Sequence, residues 1–192
     1  MILRLLLALL LAGCAAVPAQ QKMAEPAAYR PHLQQVSEIS RFAMVGRIAV
    51  LTETKGFSGS MRWHHRPDGD DIAFYSPLGT QLGQLNADAE GVTLTTSAQK
   101  TYQADDAEAL TQQVLGWSLP MAGLHDWVLG RPGAAEFEIL AWDDRGRIAR
   151  MQQSGWDIEY PAYQEALPAK VVLKSPRLDL KLVIESWQTD AE

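Results

Sequence analysis

From Phe42 onward the apolar residues fall on alternate positions. Phe57, Gly59, Met61 and Trp63 face one way while Ser58, Ser60 and Arg62 face the other, the two-residue period of a strand with one buried side. The clearest run is the last, where Leu178, Leu180, Leu182 and Ile184 alternate with Asp179, Lys181, Val183 and Glu185 up to Trp187. Between them the pattern predicts short strands at Ile72–Tyr75, Gln81–Asn86, Gly91–Thr96, Gln99–Gln103, Glu136–Ala141, Arg147–Gln153, Trp156–Tyr160 and Ala169–Lys174. Turn residues such as Pro67-Asp68-Gly69 and Asp143-Asp144-Arg145-Gly146 set them apart. In three places the period lengthens to that of a helix. One is Pro31–Ser40, with Leu33, Val36 and Ser40 on a face. Another carries Ala107, Leu110 and Val114 to Gly116, opened by a capping pair of Asp105 and Glu108. The third is Met121–Leu129, stopped by Gly130 and Pro132. About eleven antiparallel strands with a helical excursion between the sixth and seventh predict a mainly β chain with helices (α+β), a curved sheet or barrel. Such a barrel either fills its inside with side chains or keeps a cavity.

The N-terminal segment follows a different logic. Arg4, the apolar run Leu5–Leu11 and the small Gly13 read as a secretion signal over residues 1–13. Leu11-Ala12-Gly13-Cys14 fits a bacterial lipobox, so Cys14 is expected to become the first mature residue and to carry lipid. Residues 14–28, rich in Ala, Gln and Pro, read as a lipidated flexible tether, and 29–192 as a single domain. Ala15 after the cysteine fits the sorting rule for export to the outer membrane. No apolar run is long enough to span a bilayer as a helix. Cys14 is the single cysteine of 192 residues, which excludes an intrachain disulfide framework and clustered thiolate metal sites. The net charge of −6 speaks against nucleic acid as a partner. The chain is expected to have no basic patch to hold it on anionic lipid, which leaves the acyl chains to do the anchoring.

Candidate chemistry is thin. His64 and His65 are adjacent on a strand, point to opposite faces and precede a turn, so they are expected at the surface. His125 and Asp126 adjoin on a helix without facing inward together. Gly56-Phe57-Ser58-Gly59-Ser60 lacks the final glycine of a nucleophile elbow and lies on a strand. Asp70-Asp71 and Asp105-Asp106 read as turn and cap residues. No catalytic set, metal set or cofactor motif emerges. The six tryptophans are an unusual load, and they leave two readings open: plain core packing, or the wall of a cavity for apolar ligands. In Tyr75-Ser76-Pro77-Leu78-Gly79-Thr80, Pro77 and Gly79 build a turn with Leu78 near its tip. In a membrane-tethered protein a leucine placed there can dip into lipid.

Several motifs occur in order: the lipobox, Gly46-Arg47-Ile48-Ala49-Val50, Gly59-x-Met61-x-Trp63 and Ser76-Pro77-Leu78-Gly79. After Tyr102-x-Ala104-Asp105-Asp106-Ala107-Glu108 come Gly116-x-x-Leu119-Pro120 and Leu124-x-x-Trp127-Val128-Leu129-Gly130-x-Pro132-Gly133. The series closes with Gln153-x-Gly155-Trp156-x-x-x-Tyr160, Leu167-Pro168 and a last strand ending in Trp187. Together they resemble the LolB family of outer-membrane lipoprotein receptors over nearly the whole chain. The resemblance implies an unclosed antiparallel β-barrel of about eleven strands, with helices covering an apolar cavity. It implies a lipid-anchored monomer on the periplasmic face of the outer membrane that accepts lipoproteins from the soluble carrier LolA. Their acyl chains are bound in the cavity, and the cargo is inserted into outer-membrane phospholipid without nucleotide, metal or other cofactor. Leu78, between Pro77 and Gly79, matches the family's membrane-insertion leucine. Strand parity and family position together suggest Phe57, Met61, Trp63, Phe74, Leu124, Trp127 and Trp187 for the cavity. A lipocalin-like binder of small apolar molecules is the alternative, and a membrane hydrolase ranks below it for want of a catalytic set.

Overall fold

In the computed structural model, which describes residues 24–190, the alternating segments form one eleven-stranded antiparallel sheet. The signal segment and Cys14 lie outside the described residues. In chain order the elements are α1 (Tyr29–Ser37), β1 (Phe42–Thr52), β2 (Gly56–Arg66), β3 (Gly69–Tyr75), β4 (Gln81–Asp88), β5 (Gly91–Thr96) and β6 (Thr101–Ala104). Then follow α2 (Ala107–Leu115), α3 (Met121–Val128), β7 (Phe137–Trp142), β8 (Ile148–Gln153), β9 (Trp156–Gln164), β10 (Leu167–Lys174) and β11 (Leu178–Thr189).

Two meanders, β1 to β6 and β7 to β11, are joined where the first strand pairs with the last, Phe42 opposite Thr189 and Thr52 opposite Leu178. The sheet order is therefore β6-β5-β4-β3-β2-β1-β11-β10-β9-β8-β7, and the free edges β6 and β7 do not pair. The barrel is unclosed, and the chain spends α2 and α3 between those two edges. A bulge between Val45 and Gly46 bends the central pair. Gly46 is required there, because a Cβ would sit 2.6 Å from the Val183 carbonyl oxygen; at Gly59 it would sit 2.1 Å from that of Tyr75.

Alternation puts Met44, Ile48, Met61, Trp63, Phe74, Leu85, Leu94, Leu180 and Leu182 on the concave face, all but inaccessible to solvent. The helices press their apolar stripes, Leu110 of α2 and Leu124, Trp127 and Val128 of α3, into the same cluster. The interior is therefore largely filled. α1 spans Tyr29–Ser37 rather than running on to Ser40, and the hydroxyl of Ser40 instead donates to Asp190 at 2.7 Å, tying the start of β1 to the end of β11. The cap of α2 lies one residue later than the pairing of Asp105 with Glu108 suggests. Asp106 is extended and its carboxylate accepts from Ala109 N–H at 2.7 Å.

Candidate functional site

All five hairpin turns β1–β2, β3–β4, β5–β6, β8–β9 and β10–β11 lie at one end of the sheet. The β3–β4 turn is set by its residue types. Gly79 N–H donates to the Ser76 carbonyl at 2.9 Å, and Ser76 N–H donates to the Thr80 carbonyl at 2.8 Å. Gly79 takes the left-handed φ of 84° that closes such a turn, and Pro77 supplies the fixed φ that opens it. Leu78 is left at the tip, 94% exposed; a single exposed leucine is ordinary on a protein surface, and its place beside an apolar opening is what sets this one apart.

Beside this turn the apolar interior opens. A cavity of about 300 Å3 lies between β1–β4 and the C-terminal end of α2, walled by Val50, Phe57, Phe74, Leu82, Val114, Leu115 and Trp117, with Lys55 at its lip. Its walls are aromatic and aliphatic, and it is at the lower limit of ligand pockets, roughly 300–1,000 Å3. Of the residues suggested from sequence, Phe57 and Phe74 line it. Met61, Trp63, Leu124 and Trp127 belong to the packed cluster behind it, and Trp187 packs against that cluster half-buried. The cavity residues the sequence did not single out, Val50, Leu82, Val114, Leu115 and Trp117, come from four separate elements or loops. Only the Trp count hinted at Trp117.

Three tryptophans are fixed by their N–H groups. Trp63 donates to Asp70 at 2.7 Å, Trp127 to the Gln153 amide oxygen at 2.7 Å, and Trp187 to the Pro168 carbonyl at 3.1 Å. Gln153 is 3% exposed and fully used: its oxygen also accepts from Gly133 N–H at 2.8 Å, and its amide nitrogen donates to the carbonyls of Gly133 and Ala135. It holds α3 and the chain leading into β7 against β8.

At the opposite end of the sheet α3 is fastened by a second polar chain. Asp70 accepts from His65 Nδ1 at 2.8 Å as well as from Trp63. The His65 ring stacks on that of His125 at 5.4 Å between centroids, with Phe42 stacked 5.0 Å away on His65. His65 is thus half-buried, while its neighbour His64 is exposed as expected. His125 Nε2 lies 3.1 Å from Asp126, which also accepts from Arg131 Nε at 2.7 Å. Arg131 in turn donates to the carbonyls of Val36 and Ile39 at the end of α1. The hydrogen bond to Asp126 raises the His125 pKa against the opposing effect of burial. Burial pushes Asp126 upward, but the bonds from His125 and Arg131 outweigh it and hold the carboxyl below its usual value. Among the described residues no group of His, Cys, Asp and Glu is placed to hold a metal ion.

The unclosed antiparallel sheet packed on helices is a fold shared with solved structures. A LolA superfamily protein from Nitrosomonas europaea superposes with a TM-score of 0.50 at 9% identity, over 83% of this chain and 92% of that one. A DUF1329 family protein from Desulfovibrio piger gives 0.51 at 7% identity, over 85% and 92%. The family model for outer membrane lipoprotein LolB matches residues 40–187. The chain is 35% identical over 189 residues to the outer-membrane lipoprotein LolB of Stutzerimonas stutzeri, covering 95% of this chain and 92% of the relative. It is 36% identical over 184 residues to that of Thiobacillus denitrificans, covering 95% and 94%. The chain belongs to the LolB family of outer-membrane lipoproteins, which gives it a role in lipoprotein localisation at the outer membrane.

Proposed function

We propose that the chain accepts lipoproteins from the periplasmic carrier LolA by taking up their acyl chains, and inserts them into the inner leaflet of the outer membrane. The observation that carries this reading is the juxtaposition at one end of the sheet of an apolar cavity and a solvent-exposed Leu78. Phe57, Phe74 and Trp117 offer acyl chains an apolar wall, gaining about 25 cal/mol per Å2 removed from water. About 300 Å3 is small for a triacylated cargo, so in this reading the cavity widens on uptake.

Leu78 then brings the cavity to lipid. Burial of one leucine side chain is worth ~1.5–3 kcal/mol, a bias and not an anchor. The anchor in this reading is lipid on Cys14, and the partners are LolA, cargo and phospholipid, with no cofactor and the chain acting as a monomer. No ATP is needed, since a tenfold preference of receptor over carrier takes only ~1.4 kcal/mol. The test is a two-stage transfer. Loaded LolA is mixed with the chain, complexes are captured, and vesicles are added. Cargo should pass to the chain and then to vesicles. Cargo remaining on LolA, together with tight binding of a small apolar dye, would favour a binder of small apolar molecules instead.

A further inference from the structure

The described chain enters the fold at the end away from Leu78. A Cβ at Gly146, in the β7–β8 turn, would sit 3.0 Å from the Cβ of Pro26 and 3.0 Å from that of Ala28. α1 stays at that end. His32 Nε2 donates to the Ala166 carbonyl in the β9–β10 turn at 2.8 Å, and Arg131 holds the carbonyls of Val36 and Ile39. β1 starts there too, at Phe42. The turn carrying Leu78 lies at the other end of the sheet, where β8 also finishes. From Gly146 along β8 to Ser154 is about 27 Å at ~3.3–3.4 Å per residue, of which about 20 Å is height at the ~40° strand tilt of a barrel. Cys14 stands twelve residues ahead of Pro26. Twelve residues reach at most about 40–43 Å, about twice that height, when fully extended. Only a path beside the sheet therefore brings lipid on Cys14 and the side chain of Leu78 to one bilayer surface.

We infer that the segment between Cys14 and Pro26 is a strap of set length on which the molecule turns over above its own anchor. The inference rests on the lipid anchor and on the insertion reading of Leu78, and adds the conformational step that joins them. With the strap slack, the α1 end lies nearest the bilayer and Leu78 points away from it, toward a soluble carrier. With the strap drawn out along the sheet, Leu78 meets the bilayer that holds Cys14. Acceptance and delivery are then opposite poses of one domain. A strap too short to pass the sheet allows the first pose and forbids the second, because the effective concentration of a tethered group falls to near zero where its linker cannot span.

The test uses the lipid-bearing full chain in one set of vesicles, mixed with a second, differently labelled set that lacks it. LolA loaded with lipoprotein is added, and cargo is measured in each set. The natural chain should deliver to its own vesicles. Deleting residues 16–23, which lie outside the described residues, leaves a reach of about 14 Å. That variant should still take cargo from LolA but deliver it to the second set, with delivery to its own vesicles lost. Eight residues of scrambled order put back in the gap should restore delivery to its own vesicles, since reach and not sequence is at issue. Adding Cys14→Ala to the deletion frees the domain, which should then deliver as well as Cys14→Ala alone. Undiminished delivery by the shortened, anchored chain to its own vesicles would overturn the inference. So would loss of delivery by its unanchored form, which would show that residues 16–23 act otherwise than by length. Leu78→Glu at natural strap length should deliver to neither set. If it delivers, the insertion reading fails and the strap falls with it; if only the shortened chain departs from expectation, the strap alone falls.

Discussion

Replacing Gln153 by Met tests whether α3 is held by the buried amide. Methionine is close in length and volume, so the cavity contribution is small and the loss is that of the hydrogen bonds. Trp127, 2% exposed, would keep an N–H with no partner in place of the 2.7 Å bond, a penalty of ~1–3 kcal/mol. Gly133 N–H and the carbonyls of Gly133 and Ala135 lie nearer the surface and recover water, adding about 1 kcal/mol between them. The expected loss is about 2–4 kcal/mol, which at a urea slope of ~1–3 kcal/mol/M moves the unfolding midpoint by roughly 1–2 M. Amide exchange should quicken in α3 and in the segment 133–136 before it does in β1 and β11. A midpoint shift equivalent to less than about 0.5 kcal/mol, the scale of a neutral surface change, would show that Gln153 does not hold this end of α3.

Leu78→Glu should leave stability within about 0.5 kcal/mol, because the side chain makes no core contact, and leave acceptance from LolA intact. Delivery to vesicles should be lost; unfolding or failed acceptance would make Leu78 a core or cavity residue. Asp106→Ala removes the cap of α2 and should cost ~1 kcal/mol in urea unfolding, whereas Asp105→Ala should be near neutral, and the reverse order would contradict the observed cap. His125 has a raised folded pKa, so its contribution is complete below the ordinary histidine value of 6.5 and is lost as pH rises through the folded value. Melting temperature should therefore fall as pH rises past 6.5 in the natural chain and less so in His125→Gln; equal slopes would deny the His125–Asp126 contact. Cys14→Ala should abolish membrane anchoring while leaving ligand binding unchanged, as checked by fractionation and by mass spectrometry of the natural N-terminus.

Strand identity was legible wherever one face is buried, because the period of two cannot be hidden in β2 or β11. Strand ends were less so. The β5–β6 turn places Gln99 at a left-handed φ of 58° and the β9–β10 turn places Glu165 at 54°, positions where glycine or asparagine would have marked a turn. Gln99 therefore read as strand, and β9, with Pro161 inside it, read as ending at Tyr160 when it runs to Gln164. The pairing of β1 with β11 has no local signature at all, and it is what places the helices against one concave face. The tryptophans divided between the two readings left open: Trp63 and Trp127 pack and bond in the core, while Trp117, in the loop after α2, faces the cavity. Gln153 appeared in sequence only as one letter of a motif; its role needs the loop at 133–135 folded beside it.

The measurement closest to the central claim is photocrosslinking from the cargo's own acyl chain. A lipoprotein bearing a photoreactive group near the end of one acyl chain is loaded on LolA, passed to the chain and irradiated before vesicles are added. Crosslinked peptides should contain Phe57, Phe74, Leu82 or Trp117, the wall of the cavity at the Leu78 end. Labelling confined to the outward-facing residues Arg47, Ser58, Ser60, Lys181 and Val183 would place the acyl chain outside the sheet and contradict the account.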